Sequence, residues 1–293
     1  MPAAEPALVR CHCKNCRNWH ASAYSCLLPL TFEPEAFSSE AARGYESDCF
    51  GGLGRLRRVF CGRCWSSVGA IPVPGDDAGG AVRAYAAAGC LADASIPEAV
   101  AVAWRAPARV LAKDAAPPWW TAAPADDRTA GPRALRGRCA CGACAFVAPS
   151  GDEFQTQHCY CGICRRLSGA AAQTWIPVRP KGFRRARRVR DERPPPSVRT
   201  APIRRWTSRD SLELVRTTKH GKRHVCTACG TVLTIVYNSQ PDCIWPVAGV
   251  IDDGDYPSDL GAALCRSIHI CCLYKQPWYE LPQDGLDRLA YAG

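Results

Sequence analysis

The stretch HCYCGICRR, His158 to Arg166, decides how this chain is read. Cys159, Cys161 and Cys164 lie between two cysteine pairs, Cys139/Cys141 and Cys226/Cys229, in the order CxC, CxCxxC, CxxCG. Seven thiols in that order suit one closed tetrahedral metal site of four sulfurs and one three-sulfur site with a position open. Structural zinc is closed by four ligands, and catalytic zinc keeps a place for water or substrate. The pattern predicts a metal-stabilised fold and a reactive metal together.

Each spacing has a mechanical reading. Cys139 and Cys141 are two apart, which places both sulfurs on one face of an extended strand. Cys226-Thr-Ala-Cys229 turns the chain so that its sulfurs converge, and Gly230 permits the backbone angle that aims amides at them. These four predict an all-cysteine site. Cys159 and Cys161 share a strand face, and Cys164 returns from a turn. Three thiolates on zinc leave a net charge near −1 and one position that suits a soft thiol substrate. Arg165 and Arg166 either offset that charge or hold a substrate carboxylate; as a solvated pair they do neither. His158 reads as a neighbour of the ligands rather than a ligand; as a fourth ligand it would make the triple structural. Cys144 reads as a small core residue. Cys26, Cys49, Cys90, Cys243, Cys265, Cys271 and Cys272 lack ligand spacing and read as packing. Asp252 and Asp253 suit a turn better than a polarising role. Trp175 and Trp278 suit the core better than a substrate platform.

The chain has 293 residues, 20 of them cysteine. No secretory leader is visible before Cys11, and no apolar run has the eighteen or so residues of a membrane helix. A cytosolic or nuclear protein is expected, not a secreted one. Its thiols would be reduced, and clustered cysteines then read as metal ligands before disulfides. The net charge of +10 sits almost wholly in residues 179–205, with eleven Lys/Arg against Asp191 and Glu192. That Pro-rich stretch reads as an exposed insertion, either merely solvated or touching nucleic acid.

The chain also repeats itself. CHCKNCRNW from Cys11, FCGRCW from Phe60, Gly89 in an Ala-rich stretch, and PPWW ending at Trp120 form one series. CYCGICRRL from Cys159, VCTACG from Val225, VAGV around Gly249, and QPWY ending at Tyr279 form a second, in the same order. Four landmarks in register predict a duplication. The joint falls near residues 122–134, between a first domain over 1–125 and a second over 133–293. In the first, Cys11, Cys13 and Cys16 match the triple as a possible zinc site. Cys61 and Cys64 match the CxxC pair but lack two partners, and Trp65 stands where Gly230 stands in the second. Short strands are expected in 135–148, 175–178, 231–238 and 267–274, with helical character in 33–44 and a turn or helix start in 95–104.

Residues 137–283, through GRCACGACAF, HCYCGICRRLSGA, HVCTACGTVL, VAGVIDD, SIHI and QPWYELP, resemble the glutathione-dependent formaldehyde-activating enzyme family, which includes centromere protein V. The resemblance implies a mainly β, zinc-stabilised β-tent in two tandem copies. It implies structural zinc on Cys139, Cys141, Cys226 and Cys229, and catalytic zinc on Cys159, Cys161 and Cys164. The implied activity is that of a carbon–sulfur lyase, joining formaldehyde to the thiol of glutathione or the reverse. The competing expectation is a non-enzymatic zinc module that binds nucleic acid, chromatin or a protein through residues 179–205. Neither expectation involves a membrane.

Overall fold

The computed structural model describes residues 7–31, 37–74, 84–105, 109–111, 134–149, 156–176, 205–208, 211–241, 243–252 and 267–291. The expected boundary, residue 265, and nearly all of the basic stretch lie outside that set. None of the described helices is long and apolar enough to cross a membrane.

The fold is mainly β. The first half contains β1 (Val9–Cys11), β2 (Ser25–Leu30), β3 (Ala42–Cys49), β4 (Gly54–Cys61), β5 (Ser67–Pro72), β6 (Ala84–Ala87) and β7 (Arg109–Leu111). The second contains β8 (Ala134–Arg138), β9 (Ala145–Pro149), β10 (Gln157–Cys159), β11 (Gln173–Trp175), β12 (Arg205–Ser208), β13 (Leu212–Thr218), β14 (Gly221–Cys226), β15 (Val232–Tyr237), β16 (Ile244–Pro246), β17 (Ile268–Ile270) and β18 (Asp287–Arg288). Helices α1 (Lys14–His20), α2 (Glu98–Arg105) and α3 (Gly162–Ser168) are short. The sheet orders are β3-β4-β5-β6-β2-β1-β7, β11-β10-β17-β18, β12-β9-β8 and β13-β14-β15-β16.

One succession of elements occurs twice. β1 and β10 each end on the first cysteine of a CxCxxC run. Each has an antiparallel neighbour, β2 or β11, and a parallel one, β7 or β17. Each leads into a short helix, α1 or α3. The antiparallel runs β3-β4-β5-β6 and β13-β14-β15-β16 carry a register shift at matching places, Val59/Phe60 and His224/Val225. A 3-10 turn follows each run, at Ala88–Cys90 and Ala248–Val250. The β8–β9–β12 sheet has no counterpart among the described residues of the first half.

Several local expectations need correction. The chain in each CxCxxC run enters a helix, not a turn, with the middle cysteine, Cys13 or Cys161, at the N-cap position; Cys161 Sγ accepts from the Cys164 amide at 3.5 Å. Cys139 and Cys141 are not on one pleated strand. β8 stops at Arg138, and a tight turn, closed by Cys139 N–H to the Cys144 carbonyl at 2.9 Å, brings their sulfurs together. Residues 42–44 open β3 rather than a helix, since they pair with β4. The helix start expected in 95–104 is present: Pro97 followed by Glu98 starts α2, with proline ahead of the first turn and a carboxylate at the positive end of the peptide dipoles.

The halves share one core. Trp19, Phe60 and Trp104 from the first pack in the same buried cluster as Phe146, Trp175 and Trp278 from the second. The packing is reciprocal: α1 lies on the 3-10 turn at Gly249, and α3 on the one at Gly89. Both glycines are needed for room. A Cβ on Gly89 would lie 2.3 Å from the Ala170 carbonyl oxygen, and one on Gly249 would lie 2.4 Å from the Ser22 nitrogen.

Candidate metal centres

Cys139, Cys141, Cys226 and Cys229 converge, with every sulfur within 4.8 Å of the others. Cys141 Sγ is 3.6 Å from that of Cys226, and Cys139 Sγ is 3.5 Å from that of Cys141. A zinc–sulfur bond of about 2.3 Å sets tetrahedral sulfur–sulfur edges of about 3.8 Å, so the donor set fits zinc. The Cys144 amide points at Cys139 Sγ at 3.2 Å, and the Thr231 hydroxyl lies 3.2 Å from Cys229 Sγ. Gly230 has φ +75, the left-handed angle expected of it. Cys144 is buried as expected, and its amide is among the groups that serve the cluster.

Cys159, Cys161 and Cys164 form a second group within 4.8 Å. β10 delivers Cys159, the N-cap of α3 delivers Cys161, and the first turn of α3 delivers Cys164. Cys271 stands beside the triple rather than only filling the core. Cys161 is pushed far below the ordinary thiol range by hydrogen bonds from Cys159, then Cys164, then Cys271. Cys271 sits at φ 59, just after β17.

A buried guanidinium serves this group. Arg223 on β14 is 2 % exposed, lies over the Trp175 ring, and points Nη2 at Cys164 Sγ from 3.7 Å. Its other polar partner among the described residues is the Thr217 hydroxyl, and its Nε has none. A buried cation without a carboxylate is costly unless the thiols beside it are anionic. That is the charge state which metal binding imposes on them.

Comparison with known families bears on this arrangement of ligands. Residues 134–191 match the model of the family described as glutathione-dependent formaldehyde-activating enzyme. Over this segment the chain is similar to that family. The chain is also 29% identical over 159 residues, 54% of its own length and 87% of the other's, to a Halomonas elongata protein named "Putative glutathione-dependent formaldehyde-activating enzyme". The family segment takes in Cys139, Cys141 and the triple, while Cys226, Cys229 and Arg223 lie beyond it.

Outside the family segment, a third group lies in the first half: Cys11, Cys13, Cys16 and Cys49, all buried and all within 4.8 Å. Cys49, expected as packing, is a member, because the β3–β4 hairpin folds its end over the start of α1. Cys61 and Cys64 are not gathered with other metal-ligating side chains among the described residues. Cys64 is exposed and donates to the Ser66 hydroxyl. Trp65 nevertheless takes φ 64, the conformation that Gly230 takes in the second half.

Arg165 is neither solvated nor free for a carboxylate substrate. It is buried, donates to the Tyr160 carbonyl at 3.1 Å, and forms a two-pronged pair with Asp93 of the first half at 3.0 Å. Arg166 is exposed. His158 is buried beside the ligands, against the Thr174 hydroxyl at 2.9 Å and the His269 ring. Burial, then His269, pushes it down to about 3, so it stays neutral. A chain from buried Tyr160 through buried His269 to Asp284 at the surface, 2.9 and 3.0 Å long at its links, fixes the residue between Cys159 and Cys161. Asp252 pairs with Arg138, and Trp175 and Trp278 are core residues.

Arg223 had a signal in the sequence. It precedes Cys226 by three residues, as Arg58 precedes Cys61. Cys49 had none, since it reaches its cluster from a distant strand, and Cys271 had none, since it comes to stand beside the triple from the end of β17.

Proposed function

We propose that the chain is a zinc-dependent enzyme joining a glutathione-type thiol to a formaldehyde-type aldehyde, or cleaving the adduct, through the Cys159–Cys164 site. The observation that carries this reading is the three-sulfur group beside a buried Arg223 that has no carboxylate partner among the described residues. A three-thiolate set leaves one coordination position for an exchangeable thiol. The family match and the Halomonas elongata relative support the substrate class. The duplicated succession of strands and turns supports two tandem β-tent copies, over 1–125 and 133–293.

Zinc, when bound, would supply thiol activation and a template for the two reactants. Cys159, Cys161 and Cys164 would hold it, and Arg223 would offset the negative charge of the set. Trp175 and the buried aromatic chain behind Tyr160 keep the ligands in place and water out. The substrate sulfur gives an electron pair to the aldehyde carbon, and a carbon–sulfur bond forms. The carbonyl π pair moves to oxygen, which takes up the proton released by the thiol. The reverse direction breaks the same bond and returns both partners. Cys139, Cys141, Cys226 and Cys229 would hold structural zinc.

Glutathione binding tests the reading directly. In the cobalt-substituted full chain, glutathione should change the thiolate charge-transfer spectrum, and Cys161→Ser should abolish that change. A spectrum indifferent to glutathione in both chains would overturn it.

A further inference from the structure

We propose that the first half holds its own zinc in a closed four-thiolate site, Cys11, Cys13, Cys16 and Cys49, with Cys49 filling the coordination position that a substrate would otherwise use. The site is structural, and the first half is catalytically silent because its tetrahedron is complete.

The geometry is that of a metal cage. Cys49 Sγ lies 3.7 Å from Cys11, 4.0 Å from Cys13 and 3.7 Å from Cys16. A zinc tetrahedron with bonds of about 2.3 Å has edges of about 3.8 Å. All four sulfurs are buried, Cys11 and Cys16 wholly so. Four neutral thiols would gain little from being packed together, since each is a weak donor and a weak acceptor.

Charge supplies the second observation. Arg58 on β4 is fully buried, over the Trp19 ring, and points Nη2 at Cys16 Sγ from 3.4 Å. Its Nε donates to the Ser47 hydroxyl at 2.7 Å, and its Nη1 has no partner among the described residues. No carboxylate pairs with it there. Four thiols that bind a divalent ion release four protons and leave a net charge of −2. Arg58 then faces an anion, and the cost of its burial is offset. In the second half Arg223 has the corresponding place, and Cys271, from the end of β17, stands beside the triple without being gathered into it, so no fourth sulfur takes the place that Cys49 takes in the first.

The test counts cobalt in the full-length chain, reconstituted under reducing conditions, for the wild type, Cys49→Ala and Cys49→His. The wild type should hold one more tightly bound ion than Cys49→Ala. Any ion that the alanine chain still captures at this site should pass to a chelator at least about 100-fold faster than that of the wild type, since losing a ligand costs no less than losing an outer-shell partner. Cys49→His should restore the count and lose one thiolate's worth of charge-transfer intensity. The difference between chains isolates this site from those of the second half. If Cys49→Ala does not fold, the histidine spectrum decides. Equal counts with equal chelator kinetics, or a Cys49→His spectrum identical to that of the wild type, would overturn the proposal.

Discussion

The indole Nε1 of Trp19 donates to the backbone carbonyl of Cys229 across 2.9 Å. A helix of the first half thereby braces a ligand of the second-half cluster. Phe60 adds to this by packing on Gly230, where a Cβ would lie 2.5 Å from its ring. Trp19→Ala should cost about 3–5 kcal/mol, as expected for a large buried aromatic. Trp19→Phe should cost about 1 kcal/mol, chiefly the hydrogen bond. Thermal unfolding of the zinc-loaded chain checks both, and both halves should melt together. Separate transitions, with the second unmoved by Trp19→Ala, would show that the halves are independent.

The two second-half clusters should fail differently. Cys229→Ser opens a closed site whose binding energy is folding energy, so stability should fall with loss of zinc. Cys161→Ser keeps a good N-cap for α3, so the melting temperature should change little while thiol–aldehyde activity disappears. Calorimetry alongside metal analysis separates these outcomes. Equal destabilisation by both would mean that the triple is a structural site.

Arg223→Met keeps the bulk over Trp175 and removes the charge beside Cys164. Activity or zinc affinity at the triple should fall by about 10–100-fold, the usual range for a group that supports metal ligands. Arg223→Lys should recover part of it. Full activity in the methionine chain would remove Arg223 from the account.

Much of this was legible in the sequence. Seven second-half cysteines announced two centres because CxC, CxCxxC and CxxC each bring their own sulfurs together by local geometry, although the pairing of Cys139/Cys141 with Cys226/Cys229 is tertiary. The mainly β character was legible in short runs such as Val232–Tyr237, rich in branched residues. Cys49 was not, because its approach to Cys11 depends on how a hairpin folds back across a sequence separation of 38 residues. Arg165 was misread for the same reason: its partner Asp93 is 72 residues away, across the interface between halves. Local spacing encodes ligands that lie close together in the chain, and tertiary packing supplies the rest.

His20 should make the fold acid-sensitive. It is wholly buried, its Nδ1 donates to the Ser168 carbonyl, and its Nε2 has no partner among the described residues. Burial lowers its folded value to about 4 from 6.5. The unfolded chain therefore takes up the proton first, so this contribution is intact above pH 6.5 and is lost as pH falls toward about 4. The slope approaches about 1.4 kcal/mol per pH unit. Urea unfolding at about pH 7.5 and about pH 5.5, for wild type and His20→Phe, checks it. Zinc release affects both chains alike, so a smaller pH effect in His20→Phe isolates the histidine, and an equal one contradicts the assignment.

The central claim is that the Cys159–Cys164 group carries thiol–aldehyde chemistry. Exchange NMR on formaldehyde, glutathione and their hydroxymethyl adduct measures its rate directly, with zinc-loaded full chain added. Faster exchange with the wild type than without protein, reduced to the background rate by Cys161→Ser but retained by Cys49→His, is the result expected. Background exchange with a wild-type chain whose triple is fully loaded with zinc would contradict it.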